Sequence, residues 1–267
     1  MSDPGWFRIG DGTGSDIVLA VDADGTARNE ATFHDLAPML AGICDVRLTT
    51  MPDAPCDDTA QASVLEYLDG WSRTVAVSAP QVRAVFGYCS GGLVALSLAD
   101  RLEDVHGARP EVILFDPERP TALTLYQEFT HTVRAMSALD PEEADIYVRR
   151  ARRVTQEHQS RLERVIRGIT ELYREACGTN LVRLGLSPDL GAELAMAFQR
   201  YGAYLLCASQ ITWEGPRWND ATALLSADTA ADGFDCLRIR IDTVRKNLLR
   251  SEVTAAQVRR LMRRGAA

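Results

Sequence analysis

The chain has 267 residues, 46% of them hydrophobic and 25% charged, with a formal net charge of −8. This composition is globular and excludes a disordered chain, and the acidic balance argues against a general nucleic-acid binder. No run approaches the ~18 apolar residues of a membrane span.

At about 150 residues per domain, the length allows one large domain or two small ones. The opening stretch, MSDPGWFRIGDG, shows neither the basic nor the apolar region of a secretory signal, so a cytoplasmic protein is expected. The first strand signal is IVLAV at 17–21, a β-branched run followed by the polar loop DADGTARNEA. The segment 32–42, TFHDLAPMLAG, carries Phe33, Leu36, Met39 and Leu40 at helical spacing and stops at Gly42. A second strand is expected at 45–50, a helix over 59–78 and a third strand over 82–88, VRAVFGY. LVALSLADRLED, 93–104, has helical periodicity, and EVILFD, 111–116, is an apolar strand ending in an acid. Alternating strands and helices imply a mostly parallel sheet flanked by helices, the α/β class.

From 118 to 210 no strand-like run is visible. Leu162, Val165, Ile166, Ile169, Leu172 and Tyr173 step by threes and fours, so several helices are expected there. Strand signals resume at 221–227 and 237–242, and a last helix is expected at 252–264. The expected division is an α/β core of residues 1–117 and 211–267 carrying a helical insertion at 118–210. Residues 149–183 hold nine arginines against four glutamates, and Glu157–Arg161 and Glu163–Arg167 are spaced for pairing along a helix face.

Six cysteines, Cys44, Cys56, Cys89, Cys177, Cys207 and Cys236, are scattered without a C-x-x-C pair, so neither zinc nor a disulfide framework is expected. Five read as buried or idle thiols. Cys89 differs. Gly87-Tyr88-Cys89-Ser90-Gly91, with Gly92 after it, has the G-x-nucleophile-x-G spacing and lies between an apolar strand and an amphipathic helix. Small residues on both flanks let the backbones pass, and the middle side chain is pushed outward at the tip of the turn. A helix N-terminus beneath a thiol favours its anion, so a lowered thiol pKa is expected. Ser90 is the other candidate nucleophile, although it breaks the glycine spacing.

GYCSGGLVALSLADRL resembles the elbow and following helix of the α/β-hydrolase thioesterases of nonribosomal peptide and polyketide synthesis, which usually carry Ser at the nucleophile position. EVILFDPERP resembles that family's strand ending in the triad acid, which makes Asp116 the implied acid, 27 residues after Cys89. The stretch 118–210 lies where these enzymes carry a lid. VDADGTARNEATFHDLAPML resembles the oxyanion loop, with Gly25 at a family glycine. The resemblance implies an α/β-hydrolase fold and an oxyanion site formed by the N–H groups of Ser90 and Ala23. A cysteine nucleophile is similar to that of carrier-protein acyl and aminoacyl transferases. Carrier proteins are then the implied partners, with the acyl group borne on their phosphopantetheine and no cofactor on this chain.

The family's general base is a histidine just before the last helix. Here the four histidines, His34, His106, His131 and His158, all lie earlier, and Arg245 falls about where the base belongs. His131 and His158 read as surface residues of the helical insertion, His34 as a solvated helix face and His106 as a loop residue. Arg245 is expected to pair with Asp116 and to lower the Cys89 pKa. Asp22 and Asp24 read as turn-capping residues or as charges that meet a substrate ammonium. The expected activity is transfer of an acyl or aminoacyl group through Cys89. The alternatives are an editing thioesterase and a silent carrier-binding scaffold that lost its base.

Overall fold

The apolar runs assemble into one sheet. The computed structural model describes residues 5–10, 16–23, 30–49, 68–73, 82–211, 218–229 and 235–264. Strands β1 (Trp6–Arg8), β2 (Asp16–Val21), β3 (Cys44–Thr49), β4 (Val82–Tyr88), β5 (Glu111–Phe115), β6 (Ala221–Leu225) and β7 (Leu237–Arg240) form a seven-stranded sheet in the order β1-β3-β2-β4-β5-β6-β7. All pairings are parallel except that of β1 with β3. Parallel strands need helical crossovers and burial on both faces, and β6 is buried along its whole length.

Side chains alternate along each strand. Leu19 and Val21, with Val85 and Leu114, enter one apolar layer, whereas Val18 and Ala20, with Phe86 and Phe115, enter the other. The first layer is covered by α2 (Gly91–His106) and by α3 (Ala122–Arg134), α4 (Pro141–Glu157), α5 (Leu162–Arg183) and α6 (Pro188–Ser209). The second is covered by α1 (Phe33–Leu36), a 3-10 turn over Ala37–Leu40, a 3-10 turn over Arg245–Arg250 and α7 (Glu252–Arg264). Among the described residues, four helices, α3 to α6, therefore lie between β5 and β6, inside the stretch 118–210.

Several elements differ from expectation for identifiable reasons. The segment after Thr32 begins as an α-turn with a capping box and tightens to 3-10 at Pro38, which has no N–H to donate. Helix α2 starts at Gly91 rather than 93, and Gly107 ends it in the left-handed conformation at φ +74. Strand β1 carries no period that three residues can display, and it pairs antiparallel at the sheet edge. Of the helix expected over 59–78, residues 68–73 are helical and the others lie outside the described residues. Glu157 and Arg161 do not share a helix face, because α4 ends at Glu157 and Arg161 precedes α5. The helical arginines pair across elements instead: Arg150 with Glu175 at 2.6 Å and Arg183 with Glu143 at 2.5 Å. Arg149, Arg152 and Arg153 are exposed on α4.

Candidate active site

Cys89 sits where β4 turns into α2, with φ +51, a left-handed conformation that L-residues rarely adopt. The turn is clamped by backbone hydrogen bonds: Cys89 N–H donates to the Phe115 carbonyl at 2.9 Å, and its own carbonyl accepts from Gly92 at 3.1 Å and from Glu118 at 3.2 Å. The flanking glycines are required by contact. A Cβ on Gly91 would lie 2.3 Å from the Val21 carbonyl oxygen, and one on Gly87 would lie 2.6 Å from the Gly92 Cα. Strand register aligns the other parts of the site. Val21 pairs with Gly87 and Tyr88 with Phe115, so Ala23 and Asp116 each follow their strand to the level of Cys89. This is the carboxyl edge of a parallel sheet, where α/β folds place their ligands.

Cys89 is half-buried and lines a pocket of about 530 Å³. One wall is a single face of α3: Thr124, Gln127, Glu128 and His131 recur at helical spacing. Tyr201 of α6, Glu30, Tyr88, Glu118, Arg245 and Lys246 complete the lining. Arg245 lies at the centre of the charged groups. Its Nη2 donates to Cys89 Sγ at 3.0 Å, its Nη1 donates to Glu118 Oε2 at 2.7 Å, and its Nε lies 3.5 Å from Glu30 Oε1. Cys89 Sγ in turn donates to Glu118 Oε2 at 3.9 Å, and the Tyr88 hydroxyl donates to Glu30 Oε2 at 2.5 Å. The framework holds these groups through the backbone. Arg245 N–H donates to Asp228 Oδ1 at 2.7 Å, and Ala31 N–H, beside Glu30, donates to the Lys246 carbonyl at 2.8 Å.

The electrostatics correct two expectations. Burial pushes the Cys89 thiol up to about 11; Arg245 and the Ser90 N–H pull it down, while Glu118 and Glu30 push it further up. The helix terminus and the arginine thus act in the expected direction and are outweighed by desolvation and two carboxylates. Arg245 does not pair with Asp116. The Asp116 carboxylate is fully buried and accepts from the Ser226 N–H at 2.8 Å. Burial raises its pKa, against hydrogen bonds from Ser226 and Thr229 and a longer-range attraction to Arg245. Asp116, at φ +41, thereby ties the end of β5 to the loop after β6.

Of the two candidate nucleophiles, Cys89 occupies the strained tip and the pocket wall. Ser90 is buried with helical dihedrals of −61° and −22°. Ala23 is buried just beyond β2, as is Asp22, whose N–H and carbonyl both meet the Thr49 hydroxyl. Asp24 and Gly25 lie outside the described residues, as does Cys56. Cys44, Cys177 and Cys207 are buried thiols, and Cys236 is half-buried. Among the histidines, His131 is exposed but lies on the pocket wall, whereas His34, His106 and His158 do not line it. Sequence reasoning missed Glu30, Tyr88 and Glu118. The available signal was that loops following parallel strands gather at one edge, which brings the PERP segment after β5 next to the elbow after β4. Among the described residues, no group of three or more His, Cys, Asp or Glu side chains is placed to hold a metal ion, and no helix is long and apolar enough to cross a membrane.

A mostly parallel sheet, helices on both faces and a sharp strand-to-helix turn at its carboxyl edge define an α/β-hydrolase fold. Solved structures share it over nearly the whole chain. The Vlm2 thioesterase domain with genetically encoded 2,3-diaminopropionic acid, bound with a dodecadepsipeptide, is 20% identical, with a TM-score of 0.53 over 98% of this chain and 97% of that one. The NocB thioesterase domain in covalent complex with a fluorophosphonate nocardicin G analogue is 20% identical, with a TM-score of 0.53 over 96% and 98%. An N-formylmaleamic acid deformylase from Pseudomonas putida S16 is 14% identical, with a TM-score of 0.51 over 95% and 94%. At these identities the likeness is one of fold. No protein-family model matches the chain, and neither does any curated protein sequence.

Proposed function

We propose that the chain is a thioester-handling acyltransferase that takes an acyl or aminoacyl group from a carrier-protein phosphopantetheine onto Cys89 and passes it to a second acceptor. The observation that supports this most directly is the Cys89 thiol: it lies at a strained strand-to-helix tip, on the wall of a pocket of about 530 Å³, with an arginine donor 3.0 Å away. Helices within 118–210 act as the lid over that pocket, through the α3 face. In this reading Ser90 and Ala23 supply the oxyanion N–H groups, Arg245 stabilises the thiolate, and Asp116 holds the loop that carries Asp228 and, through it, the Arg245 backbone.

Transfer is favoured over hydrolysis by the identity of the residue at position 245. An arginine cannot accept a proton, a carboxylate is a much weaker base than an imidazole, and a well-matched base contributes roughly 10²–10⁴ in rate. Water, with a pKa of about 15.7, depends on that help. A phosphopantetheine thiol resembles a free cysteine, near 8.5, and is already partly ionised at neutral pH. Thioester exchange is also close to isoenergetic. The stretch 149–183, with nine arginines against four glutamates and with Arg149, Arg152 and Arg153 exposed, fits an acidic carrier domain.

Intact-mass spectrometry after mixing with acyl-loaded carrier proteins tests the reading. An adduct that is absent in Cys89→Ala and moves to a second carrier supports transfer. Free acid without an accumulating adduct identifies an editing hydrolase, and no adduct or turnover with any loaded carrier or small thioester leaves a scaffold.

A further inference from the structure

We propose that Glu118 is a catalytic residue, the proton acceptor for the Cys89 thiol as it is acylated. The proposal rests on the cysteine-nucleophile reading above. Three observations lead to it. Among the described residues, Glu118 Oε2 is the only acceptor hydrogen-bonded to Cys89 Sγ, at 3.9 Å. Its backbone is fixed to the nucleophile itself, because Glu118 N–H donates to the Cys89 carbonyl at 3.2 Å. The same guanidinium holds both reacting atoms, with Nη1 on Glu118 Oε2 at 2.7 Å and Nη2 on Cys89 Sγ at 3.0 Å.

That fork decides the energetics. Before transfer, Arg245 faces a carboxylate and a neutral thiol. As the proton crosses, it faces a carboxyl that is losing its charge and a sulfur that bears the developing charge of the attack. The negative charge moves from one tooth of the fork to the other and stays paired throughout, so little reorganisation is needed inside the pocket. The repulsion that Glu118 exerts on the thiolate vanishes once Glu118 is protonated. Other charged groups facing the pocket are placed differently. Glu30 is held by the Tyr88 hydroxyl and by Arg245 Nε, and Glu128, His131 and Lys246 lie on the walls without a hydrogen bond to sulfur.

The step balances as follows. The Sγ–H proton passes to Glu118 Oε2 while Sγ bonds to the thioester carbonyl carbon. The tetrahedral intermediate collapses, the bond from carbon to the donor sulfur breaks, and the departing thiolate takes the proton back from Glu118. The products are acylated Cys89 and a free donor thiol, with Glu118 ionised again for the second transfer.

Glu118→Gln separates a base from a purely electrostatic neighbour, because the two roles predict opposite signs. Alkylation of Cys89 by neutral iodoacetamide reports the thiolate population. It should become faster at pH 8 when the repelling carboxylate is removed. Acylation of Cys89 by an N-acetylcysteamine thioester, followed by intact mass, should instead become about 100-fold slower or more. Glu118→Asp, which keeps the carboxylate on a shorter arm, should recover part of that loss. If Glu118→Gln acylates as fast as the wild type or faster, Glu118 is not the acceptor. Loss of alkylation and acylation together means that Glu118 merely holds Arg245 in place, and this too overturns the proposal. If His131→Gln alone abolishes acylation, the proton goes to the lid. If wild-type Cys89 forms no adduct with any thioester, the cysteine-nucleophile reading fails first and Glu118 falls with it.

Discussion

Replacing Arg245 with alanine should slow alkylation of Cys89 by about 10- to 100-fold at fixed pH. The guanidinium donates to Sγ at 3.0 Å, and its side chain is 27% exposed, so solvent screens only part of the interaction. A hydrogen bond to a charged group contributes about 1.5–3 kcal/mol, which at 1.36 kcal/mol per unit is about one to two pKa units. With the thiol already at about 11, roughly one thiolate in ten thousand is present at pH 7 in the native protein. Below the pKa the alkylation rate follows that fraction, so a shift of one to two units becomes the same number of decades in rate. The assay is iodoacetamide labelling followed by intact mass between pH 7.5 and 9.5, with Cys89→Ala setting the background from the other thiols. Arg245→Lys should fall in between, since an ammonium keeps the charge but loses the fork that spans Sγ and Glu118. An unchanged rate in Arg245→Ala would refute the claim that this arginine supports the thiolate.

Three further outcomes follow from single contacts. Gly91→Ala forces a methyl group to 2.3 Å from the Val21 carbonyl, so urea denaturation should show a loss of about 1–3 kcal/mol or more, together with slower acylation; a wild-type midpoint would contradict the close approach. Burial raises the Cys44 thiol from an ordinary 9.0 to about 12 in the folded chain, so the unfolded chain loses this proton first. The stability contributed by Cys44 is therefore complete below about pH 9 and lost as pH rises toward 12; Cys44→Ala should flatten the fall in unfolding free energy between pH 8 and 10.5. Arg149→Glu combined with Arg153→Glu should raise KM for carrier-bound substrate and weaken its salt dependence, while iodoacetamide labelling of Cys89 proceeds at the wild-type rate.

Where local chemistry determines local structure, the sequence was informative. VRAVFGY followed by C-S-G-G predicts β4, the turn and α2, because an apolar β-branched and aromatic run must be buried, and Gly91 permits the close pass under Val21. Arg245 was located from its place before the last helix, and the structure brings it to the thiol. The sign of the Cys89 shift was not legible, because it is a sum over groups distant in sequence. The helix N-terminus is visible in the chain, but Glu30 and Glu118 join it only when the loops after separate elements meet at the sheet edge. Tyr88 was likewise hidden, since its aromatic ring reads as core while its hydroxyl fixes Glu30. Asp116 shows the converse: a strand-end acid beside the elbow suggests a pairing with Arg245, yet its left-handed backbone and the buried N–H of Ser226 claim the carboxylate first.

In the proposed mechanism, an arginine standing where a histidine base is expected changes what the nucleophile must be. A serine hydroxyl is far too weak an acid to ionise beside a cation alone, so a serine elbow facing Arg245 would lack any means of losing its proton except to a carboxylate. A thiol is more acidic by many units, and its anion is stabilised directly by a guanidinium. In the proposed mechanism Cys89 and Arg245 are therefore a matched pair: the guanidinium stabilises a thiolate directly, whereas a serine hydroxyl is too weak an acid to gain enough from it. Reverting both positions tests that dependence. Cys89→Ser alone should abolish acylation, and Cys89→Ser combined with Arg245→His should recover more activity than the two single effects multiplied together, because the pair acts as one unit. Strict multiplicativity of the two losses would show that the residues act independently and would remove the basis for treating them as a single device.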